Sequence, residues 1–268
     1  MEVKKPTDIP SYKKWLSQRH GVEVTAKAKT YYQAVTTKAA GDFAKSSFWQ
    51  GLQSALPDIN RGYYLQTNYY LLTEPPSPQL QIKPYDSFIL KTFRHNILNN
   101  RNWPAPPEKS WLLPDNWFAE INDTIRTYFV VKYLDGVNFL ADYLAKQACE
   151  ATYESQVDFE AKEEGYYAAH FYVKFPCEIP CENWDTRDEL ISIEIQITTQ
   201  LQEVIRRLLH KYYEQRRTLQ PIVGEKWQWN YRSDEFAANY LGHILHYVEG
   251  MIMDVRDKRI GKETKDEE

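Results

Sequence analysis

The chain has little that would place it in a membrane, outside the cell or, taken whole, on nucleic acid. None of its 268 residues fall in a run approaching the roughly 18 consecutive apolar residues of a membrane span. The opening Met1-Glu-Val-Lys-Lys-Pro lacks the apolar stretch of a secretory leader. Cysteine is scarce: Cys149, Cys177 and Cys181 are an odd set, which argues against a disulfide framework and fits a reducing cytoplasm. Cys177 and Cys181 have the spacing of a metal clip, but no second Cys/His pair stands near them. Positive charge is not in excess, with 33 Lys and Arg against 37 Asp and Glu and a net charge of −4. Nucleic acid could then be held only by a local basic patch. Internal repeats and a separate linker are also missing, so we expect a single domain over 1–268.

What is present is material for a sizeable core, 43% apolar and 15% aromatic. The clearest stretch runs from Gly165 to Tyr213. Ile191, Ile193, Ile195 and Ile197 alternate with Ser192, Glu194, Gln196 and Thr198, the period of a strand. Glu194 and Gln196 then share a polar face, roughly 6.6 Å apart. Ala169, Phe171, Val173 and Phe175 form a second apolar row against Ala168, His170, Tyr172 and Lys174. If the two strands pair, His170 and Glu194 can share a face; the plain alternative is an antiparallel pair with one solvated side. A helix follows, with Leu201, Val204, Ile205, Leu208, Leu209 and Tyr212 as its apolar face and Arg206, Arg207, Lys211, Arg216 and Arg217 on the other.

Earlier in the chain, residues 9 to 55 read as helical, with Ser46-Ser47 as a cap and helix start. Lys83, Ser87 and Lys91 stand at four-residue steps about a helix entered near Asp86 or Ser87. Such a helix start with a hydroxyl and flanking lysines suits a phosphate chain, although Ser and Lys there also make an ordinary cap. A Pro- and Trp-rich loop over 100–118 leads to Asp123 and an apolar strand over 127–134; at that position a carboxylate serves as a cap or a metal ligand. Asp135-Gly136 should break the strand before a helix from Val137 to Glu150. A last helix is expected over 234–257, on apolar anchors that include Tyr240, Leu241, Ile244, Ile252 and Val255.

In this order the pieces resemble the synthetase domain of the RelA/SpoT family. Gly165-Tyr166-x-x-x-His170 resembles G-Y-x-S-x-H, and Glu194-x-Gln196-Ile197-x-Thr199 resembles E-x-Q-I-R-T. His210 and Tyr213 stand on the helix beyond. Upstream, Lys83-x-x-x-Ser87-x-x-x-Lys91 resembles the ATP-phosphate loop R-x-K-x-x-x-S-x-x-x-K, Asp123 the metal aspartate of D-L-x-G-x-R, and Lys162 the lysine of K-x-N-G-Y. The departures are Gln81 and Tyr128 at two arginine positions, Glu164 at the guanine-reading asparagine, Ala168 for serine and Thr198 for arginine. Lost arginines are lost bidentate phosphate donors.

The resemblance implies an α+β, nucleotidyltransferase-like fold: one mixed sheet flanked by helices, with a helical part at 9–60, a synthetase core at 80–215 and a helical extension at 216–260. It implies an ATP-dependent pyrophosphokinase acting on a ribose 3′-hydroxyl, of GDP or GTP to make (p)ppGpp. Asp123 and Glu194 would be catalytic and bind Mg²⁺, and Lys83, Ser87 and Lys91 would hold ATP. Lys162, Glu164, Tyr166, His170 and Gln196 would meet the acceptor, with Tyr167 competing for the stacking role. Toxic members of the family modify the 3′-CCA end of tRNA, for which Arg206, Arg207 and Lys211 would be the patch. A degenerate, non-catalytic domain is the third possibility. No histidine here is followed by aspartate, so the family's His-Asp hydrolase signature is missing. A cytoplasmic protein is implied, with a homo-oligomer or an antitoxin as possible partners.

Overall fold

The computed structural model describes residues 4–72, 78–181, 185–208 and 226–266, without side chains beyond Lys258. It is an α+β fold around one mixed sheet of five strands in the order β1-β2-β5-β4-β3. The strands are β1 (Gln81–Ile82), β2 (Ile125–Val131), β3 (Ser155–Ala161), β4 (Tyr167–Pro180) and β5 (Thr186–Thr199). The helices are α1 (Ile9–His20), α2 (Ala26–Lys45), α3 (Ser47–Thr67), α4 (Tyr85–Phe93), α5 (Trp117–Glu120) and α6 (Leu134–Glu150), then α7 (200–208) and α8 (Asp234–Asp266). The chain falls into two compact units. The first holds 1–50, 79–127 and 172–194; the second holds 51–78, 128–171 and 195–268.

In the first unit, helix starts follow local chemistry. The Ser11 amide donates to the Asp8 carboxylate at 2.8 Å and caps α1. Ser46 ends α2 and its hydroxyl accepts from the Trp49 amide at the start of α3, as the Ser46-Ser47 pair predicts. A π-helical turn (Arg94–Leu98) follows α4 and points Asn96 into the core. Its amide donates to Leu112 O at 3.0 Å and its oxygen accepts from the Leu112 amide at 2.8 Å, which ties down the Pro- and Trp-rich loop. Trp103 and Trp111 of that loop pack on Trp15, with centroids 5.6 and 5.1 Å away. The route from this loop through α5 delivers Asp123 to the start of β2.

In the second unit, α6 begins at Leu134, so Asp135-Gly136 opens the helix instead of separating it from the strand. Gly136 lies where a Cβ would sit 2.7 Å from Leu71 Cδ1, and a small residue lets the first turn pack. β3 escapes periodicity because it is an exposed edge; Phe159 is 57% exposed, and Asp158 and Glu160 give the edge charge. The isoleucine row of β5 is fully buried, but Ser192 and Glu194 are buried as well, so the polar side of this strand is covered and not solvated. The buried positions of α7 are Gln202, Glu203 and Ile205, while Val204 and Leu208 are exposed. α8 likewise turns Ala238, Asn239, Glu249 and Arg256 inward and leaves Ile244, Ile252 and Val255 exposed. Both helices turn polar groups inward, and Gln202, Glu203 and Arg256 among them meet specific partners, a choice that apolar periodicity cannot reveal.

Candidate active site

The first unit assembles Lys83, Lys91 and Asp123. Lys83 follows β1, and its backbone is fixed on both sides: its amide donates to Thr124 O at 2.9 Å, and its carbonyl accepts from the Tyr32 hydroxyl at 2.8 Å. Lys91 lies on α4, whose sharp start at Tyr85 follows Pro84. The Lys83 ammonium donates to Asp123 Oδ2 and the Lys91 ammonium to Oδ1, both at 2.7 Å. Ser87 is exposed on the first turn of α4, beside Asp86. Glu194 is 3% exposed on β5.

One carboxylate between two ammonium groups has a distinct electrostatic signature. Burial works against the charge of Asp123, but Lys91 and Lys83 more than reverse this and hold its pKa at about 2. Lys83 gains less: burial pushes its pKa below the lysine range, Asp123 offsets only part, and Lys91 and Arg126 push it further down. The asymmetry is physical, since the anion has two cations while each cation shares one anion and is repelled by the other. The cluster therefore keeps an excess of positive charge.

Arg126 is the residue that sequence reasoning missed. Gln81 stands where the resemblance expects an arginine, and β1 and β2 are antiparallel with Gln81 directly opposite Arg126. Directly opposed residues project to one face of the sheet, so an arginine returns to this surface from the neighbouring strand. A pocket of 220 Å³ opens beside Lys91, with His95, Lys109, Ser110 and Glu120 in its wall. Lys109 and His95 carried no signal because only the packed loop brings them to Lys91.

The ionised Asp123 is a hard oxygen donor and fits a magnesium ion. Among the described residues no group of three or more His, Cys, Asp or Glu converges on a metal position. That suits an ion held by one or two carboxylates with substrate phosphates completing its shell.

The second unit assembles the residues read as acceptor ligands. The Lys162 ammonium lies 2.7 Å from Glu160 Oε2 and 5.2 Å from the centre of the Tyr166 ring. His170, almost buried on β4, has Nε2 3.0 Å from the Tyr166 hydroxyl and 3.5 Å from Glu160 Oε2. Tyr167 stacks on His246 at 3.6 Å with an interplanar angle of 6°, so one of its faces is already covered. Gln196 is half-buried on β5, and Glu164 lies in the turn before Gly165. Arg206 and Arg207 both bind Glu203, with Nε–O distances of 2.6 Å each, so that patch carries less free charge than its sequence counts. Lys211, His210, Tyr213, Arg216 and Arg217 lie outside the described residues.

No family model and no curated protein matches the chain, but solved structures do. It is similar to the small alarmone synthetase 1 of Bacillus subtilis, with a TM-score of 0.53 at 13% identity over 88% of this chain and 97% of that one. The same enzyme bound to its product pppGpp gives 0.52 at 14% identity over 86% and 95%. A GTP pyrophosphokinase family protein of Streptococcus pneumoniae gives 0.52 at 16% identity over 88% and 95%. The chain thus has the fold of the small alarmone synthetases.

Proposed function

We propose that the chain is an ATP-dependent pyrophosphokinase that transfers the β,γ-diphosphate of ATP to the ribose 3′-hydroxyl of GDP or GTP. The observation that carries this reading is the Lys83–Asp123–Lys91 cluster, two ammonium groups and an ionised carboxylate held at 2.7 Å contacts. Phosphoryl-type transfer needs positioning and charge neutralisation more than covalent help. Asp123 pairs with both lysines. With ATP present the lysines turn to its phosphates, Ser87 adds a hydroxyl at the start of α4, and Asp123 is released for a cation. A magnesium ion, held by Asp123 and Glu194, would supply Lewis-acid neutralisation of the phosphate oxygens. The acceptor O3′ forms a bond to the β-phosphorus as the bond from that phosphorus to the α,β-bridging oxygen breaks. AMP leaves with the bridging oxygen, and Glu194 takes the hydroxyl proton.

The acceptor reading places the base on Tyr166 and the acceptor phosphates at Lys162 and His170, with Glu164 and Gln196 meeting polar edges. The product named for the pppGpp-bound neighbour supports a guanine nucleotide. The sharing of Glu203 by Arg206 and Arg207 weakens the case for tRNA. The test is incubation with Mg²⁺ and β-labelled ATP, offering GDP, GTP, ADP and deacylated tRNA separately. Label in GDP or GTP is expected. Label at the tRNA 3′ end would assign the toxin chemistry instead, and ATP binding without transfer to any acceptor would make the chain a non-catalytic nucleotide-binding domain.

A further inference from the structure

We propose that α8 is the element that holds the acceptor turn in shape, with His243 as its positioning residue; the proposal rests on the acceptor reading of residues 162–167. Helix and turn meet at three alternate residues. His243 Nε2 lies 2.8 Å from Glu163 O, and His243 Nδ1 lies 2.8 Å from the Tyr167 hydroxyl. A carbonyl only accepts, so Nε2 carries a proton, and in the neutral ring Nδ1 accepts from Tyr167. One imidazole thus spans the turn from residue 163 to residue 167.

Between those two points the backbones touch. Gly165 has φ +75°, and a Cβ there would sit 2.3 Å from Asn239 O; a Cβ on Gly242 would sit 2.3 Å from Gly165 O. Only paired glycines allow this approach. Beyond it, the Tyr167 ring lies flat on His246. Helix α8 therefore grips residues 163, 165 and 167. The residues read as acceptor ligands, Lys162, Glu164 and Tyr166, are the alternate ones.

The helix is itself anchored away from the turn. Arg256, 6% exposed, donates to both oxygens of Asp135 at 3.1 and 2.6 Å and to the Tyr63 hydroxyl at 2.9 Å. Gln202 reaches Gly242 O at 3.4 Å. The turn closes on itself through Lys162 N to Tyr166 O at 3.0 Å and Gly165 N to Lys162 O at 2.9 Å, and the anchored α8 acts as a fixed jig against its other side.

The test compares the full chain with His243→Ala, His243→Gln and Gly242→Ala. Losing a hydrogen-bonded clamp should raise the acceptor KM about tenfold in His243→Ala, with the ATP KM and kcat within about twofold. Glutamine, which can donate to Glu163 O and accept from Tyr167, should restore most of the loss. Gly242→Ala should reproduce the alanine effect by steric means. Independently of turnover, amide exchange at 164–167 should speed up about tenfold in His243→Ala while the stretch of α8 around Arg256 stays protected. Unchanged exchange at the turn, or equal rises in both KM values, would overturn the proposal. A wild type that transfers to no acceptor removes the acceptor reading and this role for α8 together, whereas faster exchange would then still locate the clamp.

Discussion

The two clusters read as functional differ in how they are held, and the difference indicates what each can tolerate. In the first, the Lys83 backbone is fixed by Thr124 O and the Tyr32 hydroxyl, and the Asp123 side chain that joins Lys83 to Lys91 is 18% exposed. Lys162 and Glu160 sit at the edge of the sheet with Lys162 51% exposed, and their turn is shaped by a helix from far along the chain. The first cluster invests buried charge, so removing Asp123 takes the shared counter-charge from both Lys83 and Lys91. The second invests geometry, so its charges can change cheaply while its backbone cannot.

The largest effect should come from the first cluster. Asp123→Asn is expected to lower transfer by about 10²- to 10³-fold. The same change should cost about 2 kcal/mol or more of stability, because Lys83 is left buried without its counter-charge. Denaturant titration beside single-turnover kinetics checks both; a variant of unchanged stability would show that the ion cluster is not formed in solution.

Next in size is the backbone of the second cluster. Gly165→Ala should cost about 2–3 kcal/mol, since it meets both a positive φ and the Asn239 carbonyl. Urea midpoints would show it, and a neutral result would mean that the turn and α8 are not packed as described.

The pH dependence separates the clusters further. Asp123 has a folded pKa of about 2, below its unfolded value, so its contribution is fully present above about pH 4 and is lost as pH falls toward 2. This is on the order of 2 kcal/mol, and the stability gap between wild type and Asp123→Asn should narrow over that window. A gap that stays constant with pH would place the cost elsewhere than in the ionised carboxylate. The smallest effect is at the edge-strand pair of Lys162 and the half-buried Glu160: Glu160→Gln, which keeps the side chain's shape, should change stability by less than about 0.5 kcal/mol. It should lower the KM of a phosphate-bearing acceptor by about threefold by freeing Lys162, and a raised KM would remove Lys162 from phosphate binding.

The sequence alone determined those features that local spacing encodes. The Ile191–Ile197 alternation made β5 a strand, the Lys83/Ser87/Lys91 steps placed two cations about one helix, and the order of the motifs pointed to the fold. Only tertiary structure decided what those residues face. Asp123 meets Lys83 and Lys91 from 40 and 32 residues away, and Arg126 lies opposite Gln81 because two short strands pair in one register. Ser192 and Glu194 of β5 are buried, and α7 and α8 pack in part by polar residues, some with partners from far along the chain, as Arg256 has in Asp135 and Tyr63. Hydrophobic periodicity reports where water is excluded from a regular surface; it carries no information on a histidine that reaches 80 residues back to a carbonyl.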